Sequence, residues 1–364
     1  MKLLSWLHRW TGGVAGLLLA ILGLSGTVLL WEDSWILLPG ADEPAIADPA
    51  KLGETVSAAL EEGPGLSRIT FASDEIGLHQ AIYADGSGAN FAQDGALVDR
   101  WTSIWGRPEL WLFDLHHYLL VGETGKTITG ILGLLLLGFS ISGLVLWWRT
   151  RKTFRLRLWP ARITTSAVVR HHRDLGAVAS PLLILTALTG AMMVFPSISN
   201  VLLWPLASDT QDIVPPDDLA GYSRQTDWTR VMTRAQAAFP DAVPRRIMLP
   251  GEAGAPIALR LRQDFEWTPN GRTYVWLDPA DASIVGTGDP AMQDLASAVT
   301  EKFYPVHAAK VGGLAWRLLM TVGGLALVLL GSLATWSFWA RRAGGTPRQR
   351  SRKAQAAASA KAEN

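Results

Sequence analysis

Four long stretches of apolar residues, almost free of charge, constrain this chain more than any other feature of its sequence. They run over Leu4–Trp31, Thr127–Trp148, Leu175–Phe195 and Leu314–Trp339. A helix needs about 20 apolar residues to cross the hydrocarbon core of a bilayer, and each stretch is long enough. The fourth carries Arg317 near its start, where a long side chain can reach the interface. The sequence therefore predicts a mainly α-helical membrane protein whose four transmembrane helices form a bundle.

The distribution of basic residues predicts the orientation of these helices. The segment Arg149–Arg173 carries eight Lys and Arg and no acid, whereas Glu32–Lys126 carries five basic against sixteen acidic residues. Short loops rich in Lys and Arg stay in the cytoplasm. Both termini are therefore predicted to be cytoplasmic. We interpret the location as a bacterial inner membrane, in which the protein is multi-pass and contacts the lipid bilayer. The net charge of only +1 gives no reason to expect a nucleic-acid partner.

The two long acidic segments between the helices are predicted to be external α+β domains. Short alternating runs such as Arg68-Ile-Thr-Phe and Gln80-Ala-Ile-Tyr indicate strands, and a helix is expected near Thr229–Phe239. We expect one helix and a small antiparallel sheet in each domain. The predicted boundaries are: helix 1 at 1–31, first domain at 32–126, helix 2 at 127–148, basic cytoplasmic loop at 149–173, helix 3 at 174–196, second domain at 197–311, helix 4 at 312–340 and a disordered basic tail at 341–364.

The bundle is predicted to consist of two repeated halves. His8-Arg9 opens the first helix and His172-Arg173 the third, and each pair is followed three residues later by glycine. A Gly also stands eighteen residues after each histidine, at Gly26 and Gly190. Each half then reads as an inner histidine, a helix, an external domain, an outer histidine and a second helix, as in some membrane proteins built from parallel repeats.

Six of the seven histidines lie at predicted helix boundaries. The inner boundaries carry His8 and the doublet His171/His172; the outer ones carry the doublet His116/His117 and His307. Neutral imidazole is a common ligand of haem iron, and a pair of histidines gives an electron-transfer haem. The placement therefore predicts two haems, one near each face. A single boundary histidine is otherwise more often an interfacial polar residue.

The spacing also guides the choice of ligands. His172 matches His8 in position and is preferred to His171, while His116 follows a leucine as His8 does and is preferred to His117. Arg9 and Arg173 stand beside the inner ligands and can pair with haem propionates. Glycines one turn from the ligands, at Gly12, Gly13 and Gly176, would let a porphyrin approach the helix backbone. The seventh histidine, His79, lies in a predicted strand and is interpreted as a structural or surface residue.

Several of these motifs resemble a known family. Leu-His-Arg-Trp-Thr-Gly at residues 7–12, Leu-His-His-Tyr-Leu-Leu-Val-Gly from Leu115 and Ser142-Gly-Leu-Val-Leu-Trp are similar to the iron-regulated membrane proteins with PepSY-associated transmembrane helices. The resemblance extends from His8 to about Arg342. That family includes ferric-siderophore reductases, and the resemblance implies two b-type haems on His8, His172, His116 and His307, together with PepSY-like external domains. His117 stands where family members often have arginine, which leaves the ligand choice at that doublet open.

The function expected from these features is a diheme b-type reductase that reduces a ferric siderophore and releases iron outside. No separate acid–base catalytic residue is needed for outer-sphere electron transfer, and Trp267 and Arg272 are candidate substrate contacts. The cytoplasmic segments contain no Gly-x-Gly-x-x-Gly motif, so the electron donor is expected to be a separate protein, a small reductant or quinol. Two alternatives remain: a membrane-anchored module that binds or regulates a periplasmic partner, and a transporter for iron, haem or siderophore.

Overall fold

The computed structural model of the protein describes residues 1–157, 159–208, 226–251 and 254–343. The chain divides into two compact units. Of the described residues, those within Met1–Val28, Leu115–Val194 and Leu314–Asn364 form the helix unit, and those within Leu29–Asp114 and Phe195–Gly313 form the β unit. The predicted disordered tail lies outside the described residues from position 344, but Arg341 and Arg342, which were assigned to that tail, belong to the last helix.

Four helices in the described part of the chain are long and apolar enough to cross a membrane, which confirms a central prediction. They are α1 (Lys2–Leu29), α5 (Gly122–Trp148), α6 (Thr165–Val194) and α11 (Gly313–Ala343). Helix α6 begins nine residues before the predicted start at 174. The polar residues there, among them Arg170 and Arg173, are compatible with a helix, so hydropathy located the apolar span rather than the end of the helix.

Helices α1 and α11 approach each other through pairs of glycines. A Cβ atom added at Gly16 would lie 2.8 Å from the carbonyl oxygen of Gly331, and one added at Gly23 would lie 3.0 Å from the carbonyl oxygen of Gly324. The pairs run in opposite chain directions, so the two helices are antiparallel. Because lipid does not drive helices together as water does, small residues that allow close backbone contact are a main source of helix association.

The β unit contains seven further helices and eight strands among the described residues. The helices are α2 (Glu32–Trp35), α3 (Pro49–Glu62), α4 (Pro108–Tyr118, which continues into the helix unit), α7 (Pro196–Leu203), α8 (Trp228–Ala238), α9 (Leu295–Thr300) and α10 (Phe303–His307). The strands are β1 (Leu66–Thr70), β2 (His79–Tyr83), β3 (Gly88–Phe91), β4 (Leu97–Trp101), β5 (Val243–Met248), β6 (Ile257–Arg262), β7 (Thr273–Leu277) and β8 (Ile284–Gly288).

The strands of both segments form a single antiparallel sheet in the order β4-β3-β2-β1-β5-β6-β7-β8. Each segment supplies one of the two sheet-packing helices and four strands, but the two do not form separate domains as the sequence suggested. They join where β1 pairs with β5, with Ile69 opposite Ile247. The strand order is symmetric about this pair, as two related halves would give, although the duplication itself stays a prediction.

One face of the sheet is covered by α3 and α8, which also pack against each other. Strands β2, β6 and β7 alternate buried and half-buried side chains, the period expected when only one face is fully packed. The buried face includes Ile69, Ile247, Leu259 and Val275, all fully buried in one core with residues of α3 and α8. The opposite face carries polar, charged and aromatic residues.

His79 lies inside the β unit and has a structural role. Its side chain is 1% exposed. Its Nδ1 accepts a hydrogen bond from the backbone N–H of Ala72 at 3.0 Å, and its ring packs edge-on against Phe71. Burial lowers the pKa of His79 to about 4 from its ordinary value of 6.5, because the charged ring would lose its hydration.

This shift predicts a loss of stability in acid. Between pH 6.5 and 4 the unfolded chain binds a proton at position 79 that the folded protein does not, so stability present above this window is lost as the pH falls. The total decrease in the free energy of unfolding across this window is ~3 kcal/mol. Thermal unfolding of the full chain at several pH values measures it. In a His79→Asn variant, whose amide oxygen can accept the same hydrogen bond but cannot titrate, the acid loss should be smaller by that amount. An equal acid loss in both proteins would contradict the assignment.

Candidate cofactor site

The helix unit encloses a cavity of about 500 Å³ that is lined by residues of α1, α5, α6 and α11. This volume lies within the range that small-molecule and cofactor sites occupy. His8 of α1 and His172 of α6, the two inner residues singled out by their spacing, both line it. Much of the remaining wall is apolar, including Leu136, Phe139 and Leu330.

The imidazole of His8 is held in place by α5. Its Nδ1 lies 2.8 Å from the hydroxyl of Ser142, and Phe139 packs edge-on against the ring. The hydroxyl of Ser142 also donates to the carbonyl of Gly138 at 2.6 Å. With its proton given to that carbonyl, the Ser142 oxygen is an acceptor for an Nδ1–H group, which leaves Nε2 of His8 as the nitrogen with a free lone pair. The sequence alone did not single out Ser142 for this role.

His172 faces His8 across the cavity. The ring centroids are 6.3 Å apart and the ring planes lie at 80°. Two imidazoles that bind one metal ion from opposite sides, through bonds of about 2 Å, have ring centres roughly 6 Å apart. Nδ1 of His172 is buried and has no hydrogen-bond partner among the described residues, and the same is true of Nδ1 of His171. The residues present therefore fit a haem bound by two histidines.

The neighbouring His171 lies in a different environment. Its Nε2 is 3.1 Å from the carbonyl oxygen of Arg157 in the loop that precedes α6, and it does not line the cavity. Successive residues of a helix project about 100° apart, so only one member of the doublet can face a given site. Within the described chain the geometry favours His172 as the ligand at this doublet.

Four arginines line the cavity: Arg9, Arg173, Arg341 and Arg342. Arg173 is already engaged, because its guanidinium donates to both carboxylate oxygens of Asp174 at 2.7 and 3.0 Å and also bonds Thr153. Arg342 stacks on Trp10 and Phe338. Of these four side chains, only Arg173 forms an ion pair with a described carboxylate. The others are available to an anionic group such as a propionate.

The glycines near the ligands serve different purposes. Gly12 lines the cavity, and a Cβ atom added there would meet nothing within 4 Å. Gly176 also lines it, with Leu330 at 3.7 Å from an added Cβ. Gly13 does not fit the expected role, because Phe338 of α11 occupies the space beside it, 2.3 Å from an added Cβ. Gly13 therefore allows helix packing rather than access to a cofactor.

His116, the preferred ligand of the outer doublet, also lies in the helix unit. Its Nδ1 is 3.1 Å from the hydroxyl of Ser25 on α1, and its ring lies directly against Gly26, where an added Cβ would be 2.7 Å from the Cε1 atom. The ring of His117 lies 5.2 Å from that of His116. Gly26, noted in the sequence as part of the repeat, and its neighbour Ser25 thus contact the outer histidine.

The remaining predicted residues belong to the β unit. His307 is the last residue of α10, six residues before α11 begins. Of the two candidate substrate contacts, Trp267 is partly exposed and lies under the ammonium of Lys302, 4.9 Å from the ring centre. Arg272 precedes β7, and its backbone N–H donates to the buried carboxylate of Glu266 at 3.0 Å.

Comparison with known proteins identifies the chain at the level of a family. No curated protein matches it. The model of the PepSY-associated TM region matches residues 5–342, nearly the whole chain of 364 residues. This match includes all four long helices and the whole β unit. The protein is a membrane protein that belongs to the family of the PepSY-associated TM region.

Proposed function

We propose that this protein is a diheme b-type membrane reductase that passes electrons across the bilayer to an external ferric siderophore and so releases iron. The observation that carries the proposal is the pair His8 and His172, which face each other across a cavity with ring centroids 6.3 Å apart. When bound, haem supplies an iron that exchanges single electrons at modest potentials. Helices α1 and α6 would supply the two inner ligands, and the four long helices supply the apolar walls.

At the inner site the protein residues have distinct tasks. His8 and His172 would bind the iron through one ring nitrogen each. Ser142 holds the ring of His8 in one orientation, which selects the nitrogen that is free to bind. Arg9, Arg341 and Arg342 would pair with the propionates, while the charge of Arg173 is offset by Asp174. Phe139 and Leu136 keep water away from the pair and thereby help to set the potential.

At the outer site, His116 and His307 are proposed as the second pair of ligands. Support comes from the positions of the two residues in the repeat and from the contacts of His116 with Ser25 and Gly26. A second haem near the other face would divide the roughly 30 Å hydrocarbon core into shorter electron-transfer distances. His117 remains the alternate ligand here.

The proposed reaction is the transfer of one electron to each Fe(III)–siderophore. Siderophores bind Fe(III) through hard, charged oxygen ligands, and Fe(II) has a lower charge density, so reduction weakens the complex and releases the metal. A separate protein, a small reductant or membrane quinol would supply the electron. The arginine-rich segment from Arg149 to Arg173 supports a cytoplasmic position for the inner site, and we place the protein in a bacterial inner membrane.

The proposal predicts a coloured protein. After purification in mild detergent, a pyridine haemochrome assay should find about two b haems per chain, and the dithionite-reduced spectrum should revert to the oxidised one when a ferric siderophore is added without oxygen. A protein that stays colourless after expression with added haem would exclude the reductase and favour a module that binds a periplasmic partner. A haem protein that is not reoxidised by any ferric siderophore would retain the cofactor assignment and exclude the substrate.

A further inference from the structure

The face of the β sheet opposite α3 and α8 carries a row of half-buried side chains that the electron-transfer function does not use. Thr70 of β1, Arg246 of β5, Arg260 of β6 and Tyr274 of β7 stand directly opposite one another on adjacent strands. They alternate with the fully buried Ile69, Ile247, Leu259 and Val275, so they project from the face opposite α3 and α8.

The row is ordered by contacts among its own members. Nε of Arg246 donates to the hydroxyl of Thr70 at 3.1 Å. The guanidinium of Arg260 donates to the carbonyl of Gly271 and lies 5.3 Å from the ring centre of Tyr274. Tyr274 in turn stacks on Trp276, with ring centroids 5.4 Å apart and planes inclined by only 8°. These contacts hold planar cationic groups beside planar aromatic rings.

Among the described residues, the arginines of this face form no ion pairs, although the carboxylate of Glu266 lies near enough to Arg260 to favour its charged form. Arg68 and Arg272 lie near the row, and none of the four guanidiniums forms a salt bridge with a described carboxylate. The Nε atoms of Arg260 and Arg272 are buried and have no hydrogen-bond partner among the described residues. The nearby carboxylate of Glu266 already accepts hydrogen bonds from Gln263, Arg272 and Thr273.

The energetic cost of placing these like charges together is reflected in the pKa of Arg246. Burial, together with the like charges of Arg68 and Arg260, lowers the pKa of Arg246 to about 10. Like charges held together without a counter-charge raise the free energy of the folded protein and attract anions to the surface. Buried donors without partners are uncommon in folded proteins and require an explanation. A bound anion would offset the like charges of these guanidiniums.

We propose that Arg246 and Arg260, together with Tyr274 and Trp276, form a binding site for a small polycarboxylate. Guanidinium groups bind carboxylates with two parallel hydrogen bonds each, and neighbouring aromatic rings present flat surfaces to such a ligand. Arg68 and Arg272 add long-range attraction. The site belongs to the β unit alone, so binding is expected whether or not the protein carries haem, and it would operate independently of the electron-transfer step.

The test uses the full chain in a neutral detergent at low ionic strength, with citrate as the probe, by isothermal titration calorimetry. We expect saturable binding of one citrate per chain. Arg246→Gln and Arg260→Gln should each weaken it about tenfold or more, because each removes a charged hydrogen-bond donor. Arg100→Gln is the matched control: it removes the same charge from strand β4, where Arg100 pairs with Glu62 at the surface, and should change the affinity by less than about twofold.

Three results would overturn the proposal. The first is a folded wild-type protein, verified by its thermal transition, that shows no saturable binding of citrate. The second is an equal loss of affinity in Arg100→Gln, which would indicate a general charge effect. The third is a protein that does not bind citrate but binds phosphatidylglycerol vesicles, and loses that binding in Arg246→Gln and Arg260→Gln. This result would identify the face as a lipid-binding surface. Arg260→Lys, which keeps the charge but not the planar fork, should retain only part of the affinity.

Discussion

Replacing His172 by alanine is expected to lower the haem content of the purified protein from about two haems per chain to about one. The variant lacks the imidazole that faces His8 across the cavity, and a single histidine holds the iron far less firmly than two. Electron transfer from a cytoplasmic reductant to an external ferric siderophore should fall below detection, because the remaining haem would lie near the other face only. The haemochrome assay and reduced spectra measure the first effect, and a siderophore-reduction assay in proteoliposomes measures the second.

His171→Ala is the matched control for this experiment. It removes the same side chain one position earlier in α6, but His171 contacts the carbonyl of Arg157 and does not line the cavity. Haem content near the wild-type value is therefore expected, with at most a modest loss of stability from one hydrogen bond, about 1 kcal/mol. If His171→Ala lost a haem while His172→Ala kept both, the assignment of the inner ligand would be wrong although the reductase proposal could stand.

Replacing Gly331 by leucine is expected to disrupt the helix unit as a whole. A Cβ atom at this position would lie 2.2 Å from the carbonyl oxygen of Gly16 on α1, a backbone atom that cannot rotate away, so α1 and α11 would have to separate. Overpacking of this kind lowers the free energy of unfolding by about 1–3 kcal/mol and occasionally more. We expect a loss of about 3 kcal/mol or more here. Gly16 and Gly331 also line the cavity, and haem binding should fall together with thermal stability.

A second glycine offers the comparison for this substitution. Gly138 of α5 has nothing within 4 Å of an added Cβ atom, so Gly138→Leu should unfold at or slightly above the wild-type temperature, since leucine favours the helix by up to about 1 kcal/mol relative to glycine. Thermal unfolding in detergent, followed by circular dichroism and by haem absorbance, measures both variants. Equal stability of the two variants would show that α1 and α11 do not depend on the contact at Gly331.

Local patterns predicted the elements of the β unit better than they predicted its assembly. The expected helix near Thr229–Phe239 is α8 at Trp228–Ala238, and the runs from Arg68 and Gln80 lie within or overlap β1 and β2. These elements follow from short-range periodicity. The pairing of β1 with β5 joins residues such as Ile69 and Ile247, far apart in the chain, and no local signal specifies such a contact.

The candidate site shows the same division. Spacing alone brought His8 and His172 into consideration, and the structure places them on one cavity. The partners of the site residues were not predicted. Ser142 contacts His8, and Asp174 forms an ion pair with Arg173. Gly13 was assigned to cofactor access, but Phe338 fills the space beside it. Each of these contacts depends on how the helices rotate and slide against one another. The sequence pattern of a single helix carries little information about that arrangement.

By itself the sequence determined that this chain enters a membrane through four helices, because a bilayer excludes unpaired backbone groups and continuous apolar runs of this length satisfy them only as helices. It also determined which residue types lie near the helix ends. Only the tertiary structure decided that the two acidic segments share one sheet, that His172 rather than His171 faces the cavity, and that Arg246 and Arg260 stand side by side on adjacent strands. These features arise from packing between distant segments, where shape and hydrogen bonding rather than hydropathy select the arrangement.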